Sequence, residues 1–68
     1  MSDSLQVNGT AHPLPTQKTV TGLLKDLGLE GKPVVVERNQ SALFPRDYDT
    51  VSLKPGDSIE VITIAAGG

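Results

Sequence analysis

The sequence predicts an α+β domain: a mixed sheet of four to five strands with one helix packed across one face. Three observations lead there. Asn8-Gly9 sits between two short runs, and this pair tolerates the positive φ that both centres of a type I′ hairpin turn require. Val20, Leu23, Leu24 and Leu27 fall at i, i+3, i+4 and i+7, one apolar stripe of a 3.6-residue period. After them come a β-branched triplet, Val34-Val35-Val36, and a proline-free final run, Ser58 to Ile64, both suited to strands.

Leu5-Gln6-Val7-Asn8 alternates apolar and polar residues and forms the first strand. The second runs from Thr10 to Leu14; Pro13 cannot donate to a ladder, which makes this an edge strand and leaves the first strand free on its other side. Pro15 to Lys18 is a loop, and Thr19 is the N-cap, its hydroxyl placed to accept from an unpaired amide of the first turn. Thr21, Lys25 and Asp26 face water, and Gly28 supplies a left-handed C-cap. Gly22 is the anomaly, because glycine inside a helix costs about 1 kcal/mol relative to alanine; close packing against the sheet is the expected reason.

Leu29 to Lys32 connects to Pro33 and the valine strand, which ends in Glu37-Arg38-Asn39. Ala42-Leu43-Phe44 is a short apolar run stopped by Pro45, Arg46 to Thr50 is irregular or a single turn, and Val51 and Leu53 resume alternation. Lys54-Pro55-Gly56-Asp57 carries Pro and Gly where a type II turn requires them. In the final strand Ile59 and Val61 share one face and Ser58 and Glu60 the other, which Ile62 and Ile64 then make apolar. The order hairpin, helix, strands is a ββαββ grasp, with the last strand a central neighbour of the first.

Composition narrows the function. At 68 residues the chain is one domain, 1–68, with a tail at 65–68. A domain of this size buries only ~60% of the surface its unfolded chain exposes, which leaves no room for a deep enclosed active site. No cysteine is present, so disulfides, thiolate metal sites and a self-held thioester are all excluded and a reducing cytoplasm suits the chain. Net charge is −2, with a single Phe and a single Tyr, against both the basic footprint and the stacking platform of nucleic-acid binders. Met1 opens a polar lead and no apolar run is long enough to cross a membrane. The chain is expected to be cytoplasmic, a monomer when free, with no nucleic-acid or membrane partner.

The tail Ala65-Ala66-Gly67-Gly68 follows the apolar end of the last strand. Without Cβ atoms, two closing glycines lie extended or twist freely and pass through a slot too narrow for other residues. At average usage a Gly-Gly ending arises by chance in roughly one chain in two hundred. Extended, residues 65 to 68 carry a carboxylate roughly 13 Å from the body. That carboxylate is ionised at neutral pH and a poor electrophile, so chemistry built on it needs an activating partner and ATP. A frayed end is the plainer alternative.

Val34-Val35-Val36-Glu37-Arg38-Asn39, Phe44-Pro45-Arg46, Leu53-Lys54-Pro55-Gly56-Asp57-Ser58-Ile59-Glu60 and the closing Gly67-Gly68 resemble the ThiS family, the β-grasp, ubiquitin-like sulfur carriers of thiamine biosynthesis. The resemblance covers nearly the whole chain; Gln40-Ser41-Ala42 departs from it, where the family more often has a glycine-containing turn. It implies that an E1-like adenylyltransferase (ThiF-like) adenylates Gly68, that sulfur from a donor protein replaces the adenylate to give a thiocarboxylate, and that a thiazole synthase (ThiG-like) accepts the sulfur. Ala65, Ala66, Gly67 and Gly68 would enter the partners' active sites, and Gly68 would be substrate rather than catalyst. No cofactor is bound in this scheme; the activating partner uses ATP. The Pro-Gly-Asp turn and Gly-Gly end are shared with MoaD, the molybdopterin synthase small subunit, which remains an alternative beside a ubiquitin-like modifier conjugated through Gly68 and a plain interaction module.

The remaining candidates each have two readings. Ile62 and Ile64 form either a docking patch or a face covered by a loop. Arg38 and Arg46 either pair with acids of a partner or are solvated strand ends. Glu37, Asp47, Asp49, Asp57 and Glu60 form either an acidic docking surface or ordinary solubility charge. Asp47 and Asp49 lack the further ligands of a calcium loop, so no metal is expected. His12, the one histidine, has no cysteine nucleophile to serve and reads as a surface residue, so no catalytic residue is assigned.

Overall fold

A computed structural model describes residues 3–64. In chain order the elements are β1 (Ser4–Val7), β2 (Thr10–Pro13), α1 (Val20–Asp26), β3 (Val34–Arg38), β4 (Ser41–Leu43), a 3₁₀ turn (Pro45–Asp47) and β5 (Ser58–Thr63). They form one five-stranded sheet in the order β2-β1-β5-β3-β4. β1 and β5 run parallel, and the other neighbours antiparallel. The expected arrangement holds: β2 is an edge and β5 is central, beside β1.

The hairpin follows from its turn residues. Val7 pairs with Thr10, which leaves Asn8 and Gly9 as a two-residue loop with φ of 51° and 81°. The second hairpin was not legible in the sequence. Arg38 pairs with Ser41 across Asn39 and Gln40, whose φ values are 50° and 71°. Two non-glycine residues therefore occupy left-handed backbone, at a cost of roughly 1 to 2 kcal/mol each, less for Asn.

The helix is capped at both ends. The Thr19 hydroxyl accepts from the Gly22 amide at 3.1 Å, and the Tyr48 carbonyl takes the Thr21 amide at 3.1 Å. At the other end Leu27 is the C-cap and Gly28 follows at φ 74°. The Leu29 amide reaches the Leu24 carbonyl and the Gly28 amide the Lys25 carbonyl, the two bonds of a Schellman motif. Gly22 does pack closely, but not against the sheet. A Cβ there would fall on the carbonyl oxygen of Gln17 and 2.8 Å from its Cβ, so the loop leading into the helix demands glycine.

Val51 and Leu53 do not continue a strand; only Thr19 and Ser52 form an isolated bridge. The segment instead straps the helix N-terminus, with the Leu53 amide donating to the Lys18 carbonyl at 2.8 Å. Leu53 then joins Leu5, Val7, Val20, Leu23, Leu24, Val36, Ile59 and Val61 in the core between helix and sheet. Fully burying such a side chain contributes about 1.5 to 3 kcal/mol. The opposite sheet face is open. The type II turn forms as expected, with Gly56 at φ 88° and the Asp57 amide donating to the Lys54 carbonyl.

Candidate functional site

β5 is held by β1 at Ser58 and Ile59 and by β3 from Ile59 to Thr63, before the chain reaches Ile64. A strand held on both sides is a rigid root for whatever follows it. The tail residues Ala65, Ala66, Gly67 and Gly68 lie outside the described residues.

On the open face Ile62 is 52% exposed, and Ile64, just past the end of β5, is 50% exposed, so no loop among the described residues covers either. Ile62 pairs directly with Val35, itself 41% exposed. Val35 was missed because it sits in an unbroken valine triplet; strict alternation turns it to the face opposite Val34 and Val36. Next along the same face, Glu37 lies directly across from Glu60, a like-charge pair of the kind that destabilises a sheet. The other strand positions on this face, Ser4, Gln6, Ala11, Pro13, Ala42 and Ser58, include no cation. Apolar side chains beside two carboxylates that form no ion pair among the described residues make a surface suited to basic and apolar groups.

Ile64 also lines an open groove of about 490 Å³ with Leu24, Pro33, Val34, Pro45 and Tyr48. The groove opens where the described chain ends. Burial, and then the neighbouring Asp47, raise the Tyr48 pKa above its usual 10.0, so its phenol is a neutral hydroxyl at physiological pH.

The two arginines do different work. Arg38 donates from Nε to Asp57 Oδ2 at 2.9 Å, and Asp57 also accepts from the Lys54 amide at 2.9 Å and from Asn39 Nδ2 at 3.2 Å. Asn39 Oδ1 in turn accepts from the Ser58 amide at 2.9 Å. This network ties the β3–β4 turn to the turn before β5. Asp57, at 7% exposure, is therefore a buried anchor and not part of an acidic docking surface. Burial alone would raise its pKa; the Lys54 amide, Arg38 and Asn39 outweigh burial and hold it below the ordinary 3.8. Arg46 stands 5.1 Å from the centroid of the Phe44 ring, a cation–π contact on the surface next to Pro45.

Asp47 and Asp49 serve the backbone and the helix. Asp47 Oδ2 accepts from the Phe44 amide at 2.9 Å, and Asp49 accepts from the Thr21 hydroxyl. His12 Nδ1 lies 2.7 Å from the Pro13 carbonyl. Among the described residues no cluster of metal-ligating side chains occurs, and no helix is long and apolar enough to cross a membrane.

Comparison with known proteins places this geometry. Residues 5–68 match the model of the ThiS family. The chain is 34% identical over 62 residues to the sulfur carrier protein ThiS of Thermus thermophilus, covering 91% of this chain and 95% of that one. It is 33% identical over 64 residues to a thiazole synthase of Paramagnetospirillum magneticum, covering 94% of this chain and 20% of that protein's length. Among solved structures, the thiamine biosynthesis protein ThiS of Geobacter metallireducens superposes with a TM-score of 0.76 at 31% identity, over 96% of this chain and 99% of that one. With the β-grasp sheet, the central β5 and the match running through Gly68, the chain belongs to the ThiS family.

Proposed function

We propose that this protein is a sulfur carrier for the thiazole moiety of thiamine, and that Gly68 is the residue that carries the sulfur. The observation that supports it most is the anchoring of β5, by β1 at its start and by β3 through Thr63, shortly before a four-residue tail that ends in Gly67-Gly68. In this reading the Gly68 carboxylate attacks the α-phosphorus of ATP on an E1-like enzyme and releases pyrophosphate. The acyl-adenylate has AMP as leaving group; sulfur delivered by a donor protein as hydrosulfide attacks the acyl carbon, AMP leaves, and loss of the sulfur's proton leaves the thiocarboxylate. A thiazole synthase then takes that sulfur. The chain contributes position and an acyl group; the partners supply the catalysis.

The kinship with part of a thiazole synthase supports the acceptor. A carrier-like stretch joined covalently to an enzyme meets it at a high effective concentration, a sensible arrangement where the two act in sequence. The ThiS and thiazole synthase relatives favour thiamine over the molybdopterin pathway. Val35 and Ile62 with Glu37 and Glu60 form the docking face in this reading, with Ile64 beyond the strand end beside the groove, and Arg46 on Phe44 stands apart from it in the segment after β4.

The test is intact-mass measurement after incubation with a ThiF-like enzyme, ATP and a sulfur donor. Exchange of one oxygen for one sulfur is expected in the wild type. Gly68→Ala is expected to fold normally and to lose most of this conversion. Unchanged conversion in that variant defeats the assignment of Gly68.

A further inference from the structure

The side chain of Asn8 does more than form a turn. Successive rungs of the parallel β1–β5 ladder run from the Gln6 amide to the Asp57 carbonyl and from the Asn8 amide to the Ile59 carbonyl, both 2.9 Å. Continued at that spacing, the next rungs fall on the amide and carbonyl of Val61. β1 cannot supply them, because its backbone turns away at Asn8 and Gly9 into the hairpin. The Asn8 carboxamide supplies them instead. Its Oδ1 accepts from the Val61 amide at 2.9 Å and its Nδ2 donates to the Val61 carbonyl at 3.1 Å.

A carboxamide carries the same donor and acceptor as a peptide group, so one side chain stands in for the missing stretch of strand. Past Val61, β1 offers β5 nothing more. Ile62 and Thr63 are held by pairing with Val35 and Val34, and the Ile64 amide by the Pro33 carbonyl. Asn8 is thus the last fastening on that side before the tail. Asparagine alone suits both duties. Glycine accepts the backbone angle but has no carboxamide, and aspartate presents an acceptor where Val61 needs a donor.

We infer that Asn8 is a positioning residue for acyl activation, because its clamp on Val61 is the last hold on the β1 side of β5 and so fixes how the end of the strand, and the tail after it, is aimed. The inference rests on the carrier reading given above. The experiment measures thiocarboxylate formation with the carrier as varied substrate, at a temperature where circular dichroism shows every variant folded. Asn8→Gly preserves the turn and removes the clamp; it is expected to lower kcat about tenfold with KM little changed, as mispositioned reactants do. Asn8→Asp retains one of the two bonds and falls between.

Stability is separated from positioning by adding Gln40→Gly, which relieves a left-handed residue far along the chain. That change is expected to recover part of the melting temperature that Asn8→Gly loses, with no recovery of its rate. Recovery of the rate in the double variant, or a wild-type rate in Asn8→Gly alone, overturns the inference. If the wild type itself acquires no sulfur, the carrier reading fails instead. The clamp is then judged by hydrogen exchange at the Val61 amide, where equal protection in Asn8→Gly and wild type overturns it.

Discussion

Replacing Gly22 by alanine sets two effects of opposite sign against each other. Helix propensity alone favours alanine by about 1 kcal/mol, so a residue-by-residue reading predicts a more stable protein. The tertiary structure reverses this. A Cβ at position 22 meets the Gln17 carbonyl oxygen and lies 2.8 Å from Gln17 Cβ, and the loop cannot move away without loss. That carbonyl accepts from the Thr19 amide at 2.8 Å, and the Thr19 hydroxyl caps the Gly22 amide itself. Overpacking of this kind costs typically 1 to 3 kcal/mol, and a weakened N-cap adds about 1 more. Against the propensity gain the net is a loss of about 1 to 3 kcal/mol, which in a domain of this size lowers the melting temperature by roughly 4 to 8 °C per kcal/mol. Urea and thermal unfolding of the two proteins measure it. A double-mutant cycle with Thr19→Ala adds a check, since that change costs less where the cap is already disturbed. A Gly22→Ala protein as stable as wild type, or more so, refutes the reasoning.

Gln40→Gly is expected to stabilise the protein by about 0.5 kcal/mol, the strain of a left-handed Cβ less the added entropy of an unfolded glycine; a lower urea midpoint contradicts it. Asp57 governs acid stability. Its pKa is lower in the folded chain than unfolded, so its contribution is complete above the unfolded value near 4 and disappears as pH falls through the folded one. Asp57→Asn is therefore expected to be less stable than wild type at neutral pH, with the gap narrowing below about pH 4. Parallel stability curves for the two proteins across that range count against the role assigned to Asp57.

Much of the fold was legible because it depends on local chemistry. Thr19, Gly28, Gly9 and Gly56 act through their own backbone angles or through groups within a turn of the chain, and each appears where its residue type implies. The alternation of Ile59, Glu60, Val61 and Ile62 likewise dictated which of them lies in the core. The Asn39-Gln40 hairpin was hidden because neither residue is glycine, and the Asp57 contact that holds the turn lies 18 positions away. Leu53 gave a strand-like pattern but is core through a strap, its amide bonded to the Lys18 carbonyl.

By itself the amino-acid order determined the element types, the two-faced character of β5 and the small uncharged tail after it, since these follow from side-chain period and glycine content. Only the assembled sheet decided that Glu37 opposes Glu60, that Arg38 is bound to Asp57, and that Asn8 fastens Val61 across 53 positions. Such pairings depend on which strands become neighbours and in what register, and no local preference of the chain encodes that.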